Sequence, residues 1–238
     1  MSLPSSPRTI LALDYHDPQA ALRLVEMLDP QLCRLKVGKE LFTRSGPEFV
    51  GKLIERGYEV FLDLKFHDIP TTVRRALEAV LELNPRLVNI HAQGGPAMIE
   101  AAAEAVQAHR NRGGCTELLA VTVLTSLDRA ALARTGHSQD PGELALELAR
   151  LARDCGADGV VCSAHEAAAI GQACGGTFKR LTPGIRPGGS AHQDQARVLT
   201  PAQALREGAT WLVVGRPITQ APDPAAAAEA ILNEMAKA

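Results

Sequence analysis

The chain carries no surplus of charge of either sign. Its 238 residues hold 25 Lys and Arg against 27 Asp and Glu, a formal net charge of -2. That balance argues against a general nucleic-acid surface and leaves room only for a local basic pocket. No uninterrupted apolar run approaches membrane-spanning length, so no membrane association is expected. The N-terminal MSLPSSPRT lacks the apolar core of a secretion signal. The five cysteines, Cys33, Cys115, Cys155, Cys162 and Cys174, are odd in number, and no pair has C-x-x-C spacing. This argues against a disulfide framework or a zinc knuckle and fits a reducing cytosol. The expectation is a soluble, cytoplasmic protein. No linker or break in composition divides the chain, and 46% hydrophobic residues suffice for a sizeable core. One domain over residues 1–238 is expected, with 1–8 as a flexible N-terminal extension.

What is present is a strict alternation. Short β-branched runs at 9–15, 33–38, 59–65, 87–92, 117–125, 158–163, 179–185 and 211–216 read as strands. Helical patterns follow them at 18–29, 47–57, 71–83, 96–110, 142–156, 165–175, 201–209 and 223–238. Strict alternation implies a parallel sheet covered by helices. Eight such units in 238 residues predict an α/β fold closed as a (β/α)₈ TIM barrel. The longest irregular segment is 186–200, and loops of that length in compact domains are often functional.

The polar residues fall where a barrel places its active site, at the C-terminal ends of the strands. Asp14 ends strand one and Lys36 nears the end of strand two. Asp63 and Lys65 end strand three, with His91, Thr125 and Ser163 on the next three. The densest stretch is FLDLKFHDIP at 61–70. Asp63 and Lys65 lie two apart in a strand, so both face the barrel axis, while Leu62 and Leu64 face the helices. Lys36 on the neighbouring strand reaches the same spot, and Asp68 follows on the turn. The outcome is an alternating Lys, Asp, Lys, Asp array in which each charge favours ionisation of the next. A network that merely braces the barrel is the alternative. It is disfavoured because apolar replacement of buried pairs is often neutral or stabilising.

Arg186, the PGGS turn, Gln195, Gly215 and Arg216 occupy the loops after strands seven and eight, the usual phosphate site of such barrels. Gly215 lets a backbone N–H approach an anion, and Arg216 can fork onto phosphate oxygens. His91 has no second histidine at a metal spacing, so no metal site is expected. His67, between charged residues, reads as a supporting hydrogen-bonding group. Ser163 lacks a G-x-S-x-G context and is not expected to be a nucleophile.

These motifs resemble the orotidine 5′-phosphate decarboxylase family. The likeness runs through LALDYH, RLKVGKE, FLDLKFHDIP, NIHA, VTVLTS, GVVCSAHE, TPGIRP and VVGRPIT, and D-x-K-x-x-D-I-P is its most specific part. It is nearest the bacterial short form. The resemblance implies that Lys65 gives a proton to C6 of the pyrimidine and that Asp63 lies against the substrate carboxylate. Lys36 would link Asp63 with the ribose, and Asp14 would bind a ribose hydroxyl. Asp68, Ile69 and Thr72 would bind ligand, with Asp68 and Thr72 serving the other subunit of a homodimer. Thr125 would read the pyrimidine edge. Arg186, Gln195, Gly215 and Arg216 would hold the phosphate, with Gln195 on a closing loop. The chain has DIPTT where the family usually has D-I-P-N-T, placing Thr71 at the Asn position, and Gln93 where a small Ser is common.

The implied reaction removes CO₂ from orotidine 5′-phosphate to give UMP, a step of pyrimidine biosynthesis. No lysine has a pyridoxal-phosphate context and no other cofactor motif is present, so a cofactor-free mechanism is expected, resting on fixed charges. Three alternatives stay open on the sequence. They are a metal-dependent phosphosugar epimerase, a Schiff-base aldolase using Lys65 or Lys36, and a non-catalytic nucleotide-binding barrel.

Overall fold

The computed structural model describes residues 8–186 and 199–235. Eight parallel strands close into a barrel in sequence order. They are β1 (Thr9–Ala12), β2 (Arg34–Gly38), β3 (Val60–Phe66), β4 (Leu87–His91), β5 (Glu117–Val121), β6 (Gly159–Val161), β7 (Lys179–Thr182) and β8 (Trp211–Val214). Closure pairs Ile10 of β1 with Val213 of β8. Around them run α1 (Pro18–Val25), α2 (Lys39–Glu55), α3 (Pro70–Leu81), α4 (Pro96–Asn111) and α5 (Arg129–Ala133). The ring is completed by α6 (Pro141–Asp154), α7 (Ala164–Cys174), α8 (Pro201–Arg206), α9 (Arg216–Thr219) and α10 (Pro224–Met235).

Two cores follow from the period-2 alternation of the strands. Ile10, Phe61, Leu87, Leu119, Leu181 and Val213 fill the barrel interior. Leu11, Leu35, Leu62, Val88 and Val214 point outward and pack beneath the helices, and Leu64 lies against that layer. Leu62 and Leu64 thus face as their spacing predicts. Helix starts are written in short polar signals. Asp17 accepts the N–H groups of Gln19 and Ala20 ahead of α1, with Pro18 at its first position. Asp140 accepts Gly142 N–H and its own N–H bonds Glu143 ahead of α6.

The structure departs from the periodicity in several places. The second helix begins at Lys39 rather than at residue 47, and it kinks at Gly46 (φ 66°), where Pro47 starts a new helical run. Helices α5 and α9 are short and were not expected, because four or five residues hold too little periodicity to read. Strands one, five and seven end at Ala12, Val121 and Thr182, three to four residues before their apolar patterns do. Only single interstrand bonds carry on past two of these ends, from Leu13 N–H to the Lys36 carbonyl and from Thr122 N–H to the Val161 carbonyl. Asp14, Thr125 and Arg186 therefore sit on rim loops. Arg8 belongs to the barrel, since its carbonyl accepts Leu212 N–H at 3.0 Å. The rest of the expected N-terminal extension, residues 1–7, lies outside the described residues, as does 187–198 with Gln195.

The N-terminal floor of the barrel holds a charge network that periodicity did not single out. Arg34 is 1% exposed, bonds Glu59 at 2.6 Å and lies 5.1 Å from the centre of the Trp211 ring. Arg86 joins Glu59 and Glu117, each at 3.3 Å. All five cysteines are free thiols.

Candidate active site

Four charged side chains meet at the C-terminal mouth. Lys36 Nζ lies 2.9 Å from Asp14 Oδ1 and 3.5 Å from Asp63 Oδ2. Lys65 Nζ lies 2.5 Å from Asp63 Oδ1. The strand register explains the meeting. Ala12 pairs with Lys36, and Gly38 pairs with Asp63, so adjacent strands deliver alternate charges to one level. The array within one chain is therefore Asp14–Lys36–Asp63–Lys65. Asp68, which spacing alone would put in this array, stands outside it. Its carboxylate accepts the N–H of Ile69 at 2.6 Å and makes no ion pair with either lysine. Asp68, Ile69 and Thr72 all face solvent at the start of α3.

Lys36 and Asp63 are 8% and 7% exposed, so the network is largely shielded from water. Burial alone would push the Asp63 carboxyl up. The Lys36 and Lys65 ammoniums outweigh it, with hydrogen bonds from Lys65 and Asn89, and hold Asp63 below the ordinary carboxylate value. Burial likewise pulls Lys36 down, and Asp63 and Asp14 together raise it above the usual lysine value.

The geometry around Lys65 is not that of a flat strand. Its φ is +52°, in the left-handed region, and the β3–β4 register shifts between Leu62 and Phe66. Its backbone N–H finds Asn89 Oδ1 on β4 at 2.7 Å, and Asn89 Nδ2 bonds Asp63 Oδ1 at 2.7 Å. Asn89 was missed by the sequence reading. The signal was there: it is a polar residue inside LVNIH, two before His91 and so on the same inward face.

Beside the charges lies a cavity of about 440 Å³, lined among others by Asp14, Lys36, Gly184, Arg186, Gly215 and Arg216. It joins the carboxylate–lysine array to the arginines after β7 and β8. A smaller hollow of about 170 Å³ exposes Lys36, Asp63 and Lys65 on the β2 side. A larger one, about 600 Å³, lies between α3 and α4 and includes none of these residues. Charge and convergence, rather than size, mark the site. Gly215 precedes α9 with Arg216 at its first position. Arg186 N–H bonds Leu199 carbonyl at 3.2 Å.

Thr125 is half-buried in the turn after β5. His91 ends β4, and its ring lies 5.3 Å from that of His67. Burial first, then electrostatic interaction with His67, Lys39 and Lys65, lowers His91 to about 4. Ser163 donates its N–H to Glu166 at the start of α7, at 2.9 Å. Its Oγ is buried without a hydrogen-bond partner among the described residues, so no base activates it. Among the described residues no group of three His, Cys, Asp or Glu is placed to hold a metal ion. No described helix is long and apolar enough to cross a membrane.

Comparison with known proteins agrees with this constellation. The model of the family described as Orotidine 5′-phosphate decarboxylase / HUMPS family matches residues 7–231. A protein named orotidine 5′-phosphate decarboxylase from Halorhodospira halophila is 56% identical over 238 residues, covering 100% of both chains. One of the same name from Nitrosococcus oceani is 54% identical over 228 residues, covering 96% of this chain and 97% of its own. Among solved structures, orotidine 5′-phosphate decarboxylase from Lactobacillus acidophilus superposes with a TM-score of 0.86 at 38% identity, covering 97% of this chain and 99% of that one. An uncharacterized conserved protein from Geobacillus kaustophilus gives 0.83 at 37% identity, covering 95% and 99%. With nearly its whole length matched and D-x-K-x-x-D at the mouth of a closed barrel, the chain belongs to the orotidine 5′-phosphate decarboxylase / HUMPS family.

Proposed function

We propose that this protein decarboxylates orotidine 5′-phosphate to UMP and CO₂ in pyrimidine biosynthesis, without a cofactor, and that Lys65 protonates C6. The observation that carries the reading is the Asp14–Lys36–Asp63–Lys65 array opening onto a cavity that ends in Arg186, Gly215 and Arg216. A phosphosugar epimerase would need a metal-ligand set. An imine-forming aldolase would need a depressed lysine, whereas both lysines here stand against Asp63.

Cleavage of the C6–carboxylate bond leaves its electron pair on C6 and releases CO₂. A positive Lys65 ammonium, already oriented by Asp63, stabilises that developing pair and then transfers its proton to C6. The two groups need little reorganisation, because the Asp63–Lys65 contact exists before substrate arrives. Asp63 faces the departing carboxylate. Lys36 bridges Asp63 to the ribose, Asp14 takes a ribose hydroxyl, and Thr125 meets the pyrimidine edge. Arg186, Gly215 and Arg216 take the phosphate together with Gln195 of the loop. The phosphate lies remote from C6, so its binding energy serves to close and order the site.

The active unit is a homodimer in which Asp68, Ile69 and Thr72 complete the partner's site. Three observations support this. Asp68 does not reach its own Lys65, Thr72 faces solvent, and Ile69 is a large apolar side chain 66% exposed. The protein works in the cytoplasm. The deciding experiment follows the loss of orotidylate absorbance with purified, chelator-treated protein. Wild type should turn over with chelator or borohydride present. Lys65→Ala should fold, bind UMP and lose essentially all turnover. Turnover surviving in Lys65→Ala, or lost on borohydride treatment with substrate, would overturn the assignment.

A further inference from the structure

We infer that Asn89 is a positioning residue for the decarboxylation, clamping Asp63 and the backbone of Lys65 in one fixed relation. The inference rests on the proposed role of Lys65 and extends it to a residue that does not touch substrate.

Asn89 is 0% exposed in the middle of β4. A buried side-chain amide needs partners, and here both known partners belong to the reacting pair. Its orientation is fixed by chemistry. The Lys65 backbone N–H can only donate, so it must meet Asn89 Oδ1. The ionised Asp63 carboxylate can only accept, so it must meet Nδ2. A reversed amide would set donor on donor and acceptor on acceptor.

The two bonds act on two different freedoms. Asp63 Oδ1 receives both Asn89 Nδ2 and Lys65 Nζ. This locks the carboxylate rotation and leaves Oδ2 turned to Lys36. At the other end, Lys65 holds φ +52°, a conformation that costs a non-glycine residue energy. The shifted β3–β4 ladder gives its N–H to the Asn89 side chain in place of a backbone carbonyl. Without that acceptor the partly buried N–H loses its partner and the residue is free to return to extended geometry. That rotation would swing the Lys65 ammonium away from where C6 must lie. The clamp therefore acts on alignment, and its loss should reach kcat before it reaches binding through the phosphate end.

The test uses Asn89→Leu, which has the same side-chain heavy-atom count and branching and makes neither bond, and Asn89→Asp, which keeps the shape and the acceptor but loses the donor toward Asp63. Lys65→Ala runs beside them. The expected result for each folded Asn89 variant is a fall in kcat of about 100-fold, the scale of ångström-level misplacement of a reacting group. UMP affinity should stay within about threefold, because the phosphate contacts are untouched. Wild-type kcat in a folded variant overturns the inference. So does an equal loss of kcat and UMP affinity, which would mark a residue that merely shapes the pocket. If neither variant folds, Asn89 is a folding residue and the assignment also falls. The underlying reading fails separately, through turnover by Lys65→Ala. A dead Lys65→Ala beside fully active Asn89 variants would sink this inference alone.

Discussion

Removing Asp63 should turn the charge array against the fold, and the effect should depend on pH in a direction the structure sets. In Asp63→Ala, Lys36 and Lys65 lose the carboxylate that stands 3.5 and 2.5 Å from their ammoniums. The Lys36 side chain is 11% exposed and keeps only Asp14, which is 67% exposed and therefore weakened by solvent. Leaving one partner of a buried pair alone costs roughly 3–5 kcal/mol, and the surviving Asp14 contact puts this case near the low end. At ~3 kcal/mol, a chain of this size should lose about 6–12 °C in Tm. The pH dependence follows from Lys36. In the wild type its folded value is raised above the usual 10.5, so its contribution is full below that pH and is lost as pH rises through the folded value. In the variant, burial is opposed only by Asp14 and the folded value drops below 10.5. The penalty is then full at neutral pH and fades as pH rises past the lowered value. Thermal melts of both proteins by circular dichroism, at neutral pH and near pH 10, measure this. The gap should narrow with rising pH. A variant as stable as wild type at neutral pH, or a gap that ignores pH, would refute the electrostatic account.

Three further outcomes are expected. Lys65→Ala and Asp68→Ala homodimers should each be nearly inactive, yet after verified subunit exchange about one site in four should recover, because each mixed dimer rebuilds one complete site; no recovery would place Asp68 in its own chain's chemistry. Arg216→Ala should weaken UMP binding by about 10- to 100-fold and uridine binding far less, as a charge-assisted bond to phosphate is lost; equal losses in calorimetry would move Arg216 off the phosphate. His91 is lowered to about 4, so its contribution to stability is full above the ordinary histidine value and is lost as pH falls toward 4. Urea midpoints should accordingly decline less between neutral pH and pH 4 in His91→Asn than in wild type, and parallel declines would disprove this.

Sequence alone determined the βα alternation, the strand count and the inward facing of Asp63 and Lys65, because each depends on a local period of two or of 3.6. It also placed Lys36, Arg186 and Arg216 at the right end of the barrel, since strand ends can be read from where apolar runs stop. Tertiary structure alone decided how these groups meet. Asp14 finds Lys36 through the β1–β2 register, which no local pattern encodes. The β3–β4 shift and the left-handed Lys65 arise from pairing between strands 24 residues apart at the Lys65–Asn89 bond. Asn89 could be read as an inward polar residue of LVNIH, but its bonds to Lys65 and Asp63 exist only once β4 lies beside β3. The Arg34–Glu59–Arg86–Glu117 floor formed in the same way, from residues of four separate segments. Asp68 shows the opposite case: adjacent in sequence to the charged cluster, it is carried out of it by the turn into α3, whose first residue is Pro70. Periodicity fixes which face a side chain takes; only closure of the barrel fixes what it touches.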